Sequence, residues 1–520
     1  MRNLVLTALF ALCLSAPVLA DDMRPFFAPE DMPTAAKLPE ISAAAKRGDA
    51  VAQYKLGWMY REGLGVDKSD ARAVAWYRKS AEQGHAPAQN SLGRMYAQGR
   101  GVDDDQIDPS WSDKIAERIW RIDPEVAKII AKRKHDVAQA VAWYRKSADQ
   151  GYAYGQNNLG IMYQTGQGVA QDYAQAVFWL RKAAAQGNAA GQYNLGTMFH
   201  KGLGVTQDNV QAVALYTKAA EQGEAQAQVS LGEMYRDGLG GLAKDDAKAF
   251  ALYRQSAEQG NDNGQINLGW MYERGRGVAK DDAQAVFWYR KAAEQGNTYA
   301  QNLLAKMYSQ GRAVPKDDAQ AAALYRQAAE RGNASAQAYL GTLYREGQGV
   351  AKDDKQALFW YRQAARQGNA GAQVNLGWMY AQGRGDARDD ERAAFWYQQA
   401  AEQGNAEGQA RLGTMYREGR GVSRDDAKAI ALYRQAAAQD NPNAQANLGW
   451  MYREGRGVAR SDEQAVFWYR QAARQDYADA QRLLATMYAF GRGVAKDCAQ
   501  AKDLLRKSGV KEQDIPACPP

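Results

Sequence analysis

Apolar residues recur along this chain in two helical patterns that alternate, and the alternation returns every 36 residues, as from Ala300 to Ala336 to Ala372. In the stretch 264–297 the first pattern is Leu268, Met271 and Tyr272, at i, i+3 and i+4, which makes one apolar stripe on a helix. The second is Ala285, Trp288, Tyr289 and Ala292, at i, i+3, i+4 and i+7, again a single buried face of large rings and small alanines. A short period of paired helices predicts stacked supersecondary units, each touching mainly its neighbours, rather than one globular core.

The punctuation between the patterns agrees. Gly275-Arg276-Gly277-Val278 ends the first helix, because glycine reaches the left-handed conformation of a helix C-terminus at little cost. Asp281 and Asp282 open the second helix, where carboxylates accept orphan N–H groups and face the positive end of the helix dipole. Such pairs could suggest acid/base chemistry or a metal site. They return at the same place as Asp245-Asp246, Asp317-Asp318, Asp353-Asp354, Asp389-Asp390 and Asp425-Asp426, so capping is their expected role. Gln295-Gly296-Asn297 makes the turn into the next unit. Within the first helix Gly269 costs about 1 kcal/mol of helix propensity, and its return as Gly57, Gly93, Gly160, Gly341 and Gly449 calls for close approach of another helix.

The run Gly264-Gln265-Ile266-Asn267-Leu268-Gly269-Trp270-Met271-Tyr272, followed by Gly275-Arg276-Gly277-Val278, Asp281, Ala285, Trp288-Tyr289, Ala292-Ala293 and Gln295-Gly296, resembles the Sel1-like repeats, a branch of the tetratricopeptide-type α-solenoids. The resemblance implies an all-α fold: a right-handed α-α superhelical solenoid of about twelve helix-turn-helix repeats. Copies begin at Ala52, Ala88, Gly155, Gly191, Ala227, Gly264, Ala300, Ala336, Ala372, Gly408, Ala444 and Ala480. It also implies a scaffold or adaptor that binds a protein partner, not an enzyme, and no cofactor. The expected organisation is a signal peptide at 1–20, an N-terminal segment with a capping helix at 21–51, the solenoid at 52–508 and a tail at 509–520.

Two intervals break the period. One residue is added near Gly240-Gly241, which a loop absorbs cheaply. The unit from Ala88 runs 67 residues to Gly155, so 31 are inserted, at about 104–134. Asp108-Pro109 and Asp123-Pro124 read as helix starts, which predicts two short amphipathic helices before the unit's own second helix resumes around Val137 to Tyr144. They either fold back on neighbouring repeats or form a partner-binding element, with Trp111 and Trp120 as its candidate contacts.

Met1-Arg2-Asn3, the apolar Leu4 to Leu14 and the small-residue site Val18-Leu19-Ala20 read as a signal for export, to the periplasm first of all and otherwise to the medium or cell surface. The apolar stretch is too short for a stable membrane span. Cys13 follows bulky Leu12, which argues against lipid attachment there. Export leaves Cys498 and Cys518, a pair that in an oxidising compartment is expected to close a disulfide across the tail; two free thiols are the alternative.

The charge of +7 comes from 66 basic and 59 acidic residues with signs interspersed, so nothing resembles a nucleic-acid arm. His85, His135 and His200 lie in unlike parts of three units without ligand neighbours, which excludes an obvious metal site and makes surface positions the expectation. Ser508-Gly509-Val510-Lys511 fits the S-x-x-K fragment of penicillin-recognising enzymes but lacks its companion motifs, which leaves a β-lactam-binding or cell-wall enzyme a remote alternative.

Recognition is then the function to place. The residue after the packing glycine varies: Trp58, Trp270, Trp378 and Trp450, but Arg94, Thr197, Thr342 or Thr414 elsewhere. Its position, roughly opposite Leu268 and Tyr272, leaves it undictated by the core. If the first helices line a concave surface as in related solenoids, these Trp side chains meet Arg61, Arg236, Arg345, Arg417 and Arg453 in one groove suited to a protein partner. Packing of each Trp on the adjacent first helix is the other reading, and stacking of the rings on an envelope glycan is a third use. Polar or incomplete ends predict a monomer.

Overall fold

The computed structural model describes residues 32–102, 124–511 and 514, with the side chains of 124–127 excepted. The described residues form helices and turns, without a strand. They divide into two units, 32–281 and 282–511. Each unit by itself is a stack of helix pairs, as in Ala189–Lys201 with Asn209–Glu221 and in Ala334–Glu346 with Asp354–Arg366. The expected solenoid of paired helices is the fold. Leu38–Lys46 precedes the first pair and buries Ile41 and Ala45 against it.

Caps set the helix limits. In first helices the side chain of Asn261, Asn333 or Asn405 accepts from the backbone N–H three residues on, and glycine closes the other end, Gly275 with φ 65°. In second helices the first aspartate of each pair caps: Asp245, Asp317, Asp353, Asp389 and Asp425 each accept a backbone N–H of the first turn. The second aspartate is not a cap. It is the first residue of the helix and is used elsewhere.

The packing glycine meets the tyrosine of its own second helix. A methyl group at Gly341 would lie 2.8 Å from the Tyr361 ring, and at Gly449 2.7 Å from that of Tyr469. Tyr77, Tyr144, Tyr253, Tyr361 and Tyr433 are accordingly sealed, and burying rings of this size is the main stabilising term of each layer.

Two expectations change. Trp288, expected in the buried face beside Tyr289, is half-buried, because Val286 takes the core place and exposed Phe287 stands edge-on against the indole at 5.0 Å. The insert's second helix is not separate. Pro124–Asp149 is one continuous helix that carries the end of the insert straight into the repeat's own second helix, with Lys132 Nζ donating to the Val102 carbonyl at 3.1 Å. The added residue at Gly240-Gly241 leaves Ala225–Asp237 and Asp246–Glu258 intact, both glycines taking positive φ.

Candidate first-helix recognition face

The residue after the packing glycine lies over the tip of the second-helix tyrosine, not on the far side from the core. Thr342 and Thr414 share hydrogen bonds of 2.9 and 3.0 Å with the hydroxyls of Tyr361 and Tyr433. Where Trp replaces Thr the ring gains a different setting. Arg236 and Arg276 lie over the Trp270 ring at 5.9 and 5.4 Å. Arg345 and Arg384 lie over Trp378 at 5.6 and 5.4 Å, and Arg417 and Arg456 over Trp450 at 5.1 and 5.2 Å. In each clasp one arginine comes from the preceding first helix and one from the Trp's own Gly-Arg-Gly loop. Cation–π contacts of this kind contribute about 0.5–1 kcal/mol when exposed and more as they dry.

Hydrogen bonds aim these guanidinium groups. Arg345 donates to Asn375 and Arg417 to Asn447, each on the first helix that carries the Trp, at 3.2 and 2.7 Å. Arg236 binds Asp237 through two nitrogens at 2.8 and 2.7 Å, which holds the Asp237 carboxyl below its usual range and lifts the arginine further. The candidates therefore separate. Trp270, Trp378, Trp450, Arg236, Arg345 and Arg417 come together in three half-exposed clasps. Arg453 pairs with Glu454 at 2.8 Å on the same type of face. Trp58 and Arg61 are buried, at 9% and 6% exposure, Trp58 within the first hydrophobic cluster.

The loop arginines perform a second task that spacing alone left unread. Arg276 binds Asp246, Arg312 binds Asp282, Arg384 binds Asp354, Arg420 binds Asp390 and Arg456 binds Asp426, each through two nitrogens and each 30 residues apart. The aspartate is the one that does not cap. Its carboxylate ties the start of one second helix to the loop of the next repeat, and Asp390 falls to a pKa of about 2 because Arg420, then Arg388, hydrogen-bond it.

On the first-helix face of the C-terminal unit a cavity of about 240 Å³ opens beside Trp378 and Arg417. Its wall is mostly polar, and its charged side chains are Arg411, Arg417 and Arg420. The other face carries a row that the periodicity missed: Phe359, Phe395 and Phe467 on second helices, 47–53% exposed. Ala431 occupies the missing place in that 36-residue series and lines an apolar notch of about 310 Å³.

The remaining candidates are quickly placed. His85 is partly buried on the Tyr54 ring at 5.0 Å, which pushes its pKa down, rather than standing at the surface as expected. His200 shares a hydrogen bond of 2.9 Å with Asn209. The Ser508 hydroxyl donates to the Leu505 carbonyl at 2.8 Å, in the closing turn of the last helix. Trp111, Trp120 and Cys518 lie outside the described residues, while Cys498 opens that last helix. No group of three or more metal-ligating side chains occurs, and no helix is long and apolar enough to cross a membrane, among the described residues.

A Sel1 repeat model matches thirteen segments: 50–85, 86–107, 131–152, 153–188, 189–224, 225–261, 263–297, 298–333, 334–369, 370–405, 406–441, 442–477 and 478–509. The second and third are halves of one repeat parted at the insert. Among solved structures the chain is similar to c5321, a protective antigen present in uropathogenic Escherichia coli strains displaying an SLR fold, with 36% identity, 91% of this chain and 94% of that chain covered, and a TM-score of 0.59. A Sel1 repeat protein from Oxalobacter formigenes is 32% identical over 63% of this chain and 93% of its own, with a TM-score of 0.47. No curated protein matches.

Proposed function

Since the chain belongs to the Sel1 repeat family, we propose that it is an exported, non-enzymatic scaffold that captures a protein partner on the face of its first helices. Sel1 repeat proteins are generally protein-interaction modules, and that much comes with the family. The observation that carries the finer reading is the set of three arginine-tryptophan clasps. They hold large, half-exposed side chains in fixed positions on first helices, one clasp in the N-terminal unit and two in the C-terminal unit, and such preorganised Trp and Arg groups are the ones that dominate protein interfaces.

Export rests on the basic start, the apolar Leu4 to Leu14 and the cleavage pattern ending at Ala20. The periplasm or cell surface is then the working place, in an envelope complex or at a host contact. A 36% identical relative is a protective antigen, which agrees with a place where a host meets it. The glycan reading is weaker, because guanidinium groups already lie over the Trp rings on which a sugar would stack. A β-lactam-binding enzyme has no support beyond the Ser508 to Lys511 spacing.

Photo-crosslinking in intact cells tests the proposal. A photoreactive residue at Thr342, on the first-helix face, is expected to trap a protein that the same residue at Phe359, on the second-helix face of that repeat, does not. Trapping from Phe359 alone, or sedimentation with purified peptidoglycan in place of any protein adduct, would sink it.

A further inference from the structure

The cavity beside Trp378 spans three successive first helices, Ala370–Gln382, Ala406–Glu418 and Pro442–Glu454. Its floor and sides mix ring and methylene surface with polar donors, and every charged side chain in its wall is an arginine. The acids that pair with those arginines are not among the cavity's lining residues. Glu407 takes the Nε of Arg411 at 2.7 Å, Asp390 takes Nε and one Nη of Arg420, and Glu418 pairs with Arg417. Arginine held by its Nε side presents its far edge.

Arg411 is the one that remains open. Its two Nη groups carry no hydrogen bond within the described residues, and its side chain is 42% exposed. Next to it, Asn443 accepts from Asn447 Nδ2 at 2.6 Å through its carboxamide oxygen, which leaves its own N–H groups to donate. A planar fork with two parallel donors and a third beside it matches a carboxylate, which accepts two such bonds at once. Trp378 and Tyr477 in the wall would cover the methylenes behind that carboxylate.

We propose that this cavity receives a carboxylate of the protein partner, from an acidic side chain or a chain terminus, with Arg411 gripping both oxygens and Asn443 donating to one of them. The proposal rests on the first-helix reading and names the chemistry that such a partner brings to it.

Three blocked peptides test it on the full chain: acetyl-Gly-Glu-Glu-Glu-Gly-amide, its Gln counterpart, and acetyl-Gly-Gly-Gly-Ala with a free carboxyl end, titrated by calorimetry. One of the two carboxylate probes is expected to bind at least about tenfold more tightly than the Gln probe, and which of them does so tells side chain from terminus. Arg411→Gln should remove about tenfold of that affinity, as loss of a charge-assisted pair does. Arg482→Gln, which removes the same charge from another first helix where it pairs with Asp479, should leave it unchanged. Equal weakening by both variants, or no preference for either carboxylate probe, overturns the site. Crosslinking from Thr342 reads the first-helix face without this cavity, so a protein trapped there alongside failed peptides would retire the carboxylate site alone.

Discussion

Two kinds of seam join consecutive repeats. From Asp246 to Asp426 most seams are ionic: an aspartate at the start of a second helix meets a loop arginine 30 residues later, as in Asp390 with Arg420. Asp70 and Arg100 already make an ionic seam near the start, but between them and Asp246 the same two positions hold Tyr173 and Leu203, both packed in one apolar cluster, and Val137 and Gln167 occupy the pair before it. The backbone beneath is shared. Gly421 would place a methyl group 2.0 Å from the Asp390 carbonyl oxygen in an ionic seam, and Gly204 would place one 2.5 Å from that of Tyr173 in the apolar seam. The difference teaches that the seams, that of Ala313 excepted, are built on glycine meeting backbone, and that side chains then choose between charge and grease.

The largest expected effect follows from what is shared. Gly421→Ala and Gly204→Ala should each destabilise their repeats by about 3 kcal/mol or more, since the clash with a carbonyl adds to the strain of alanine at positive φ. Urea titration followed by repeat-resolved hydrogen exchange measures both. A loss in one seam but not the other would mean that side chains, not backbone contact, set the spacing.

That pairing also marks what was legible in the chain. The period, the glycine punctuation, the capping aspartate and the close approach at Gly341 and Gly449 all follow from local rules, because each acts within one helix pair. The role of Asp390 does not, since its partner lies in the next repeat. A signal for it does exist: in most repeats Asp at the helix start goes with Arg 30 residues on, Asp318 with Gln348 being an exception, whereas Tyr173 goes with Leu203. The clasps were half legible. Trp270, Trp378, Trp450, Arg236, Arg345 and Arg417 were among the candidates, but Trp58 and Arg61 are buried, the loop partners Arg276, Arg384 and Arg456 went unread, and the Trp position was expected far from the core, while Thr342 shows it at the tip of a second-helix tyrosine. Phe359, Phe395 and Phe467 were missed because a helix of alternating rings reads as all core, and only packing decides which ring is left outside.

A smaller effect separates the seams by pH. Asp390→Asn should cost about 1 kcal/mol at pH 6, as expected for a half-exposed pair. The native carboxyl sits at about 2 while the unfolded one titrates near the ordinary value of about 3.9. Its stabilisation is therefore complete above that ordinary value and lost as pH falls through about 2. Urea-dependent exchange in Asp390–Glu402 should show variant and native chain differing at pH 6 and converging by about pH 2, while Tyr173–Ala185 shows no change between the two chains at either pH. A gap that persists in acid would mean that Asn disturbs packing rather than charge.

The smallest effect isolates the backbone with the side-chain chemistry held constant. In the seam of Asp282 and Arg312 the second loop glycine is replaced by Ala313, which keeps φ at 54°. A left-handed alanine costs about 1–2 kcal/mol, and glycine recovers part of it at the expense of a more flexible unfolded chain. Ala313→Gly should thus stabilise its repeat by about 0.5–1 kcal/mol without moving the Asp282–Arg312 pair. The gain should appear in the exchange of Thr298–Gln310 and Asp318–Glu330 and fade within a repeat or two, because a stack transmits stability only between neighbours. A neutral result would mean that the seam already holds this loop so firmly that the residue's own preference no longer counts. The ionic pair, not the glycine, would then be the dominant tie in this part of the chain.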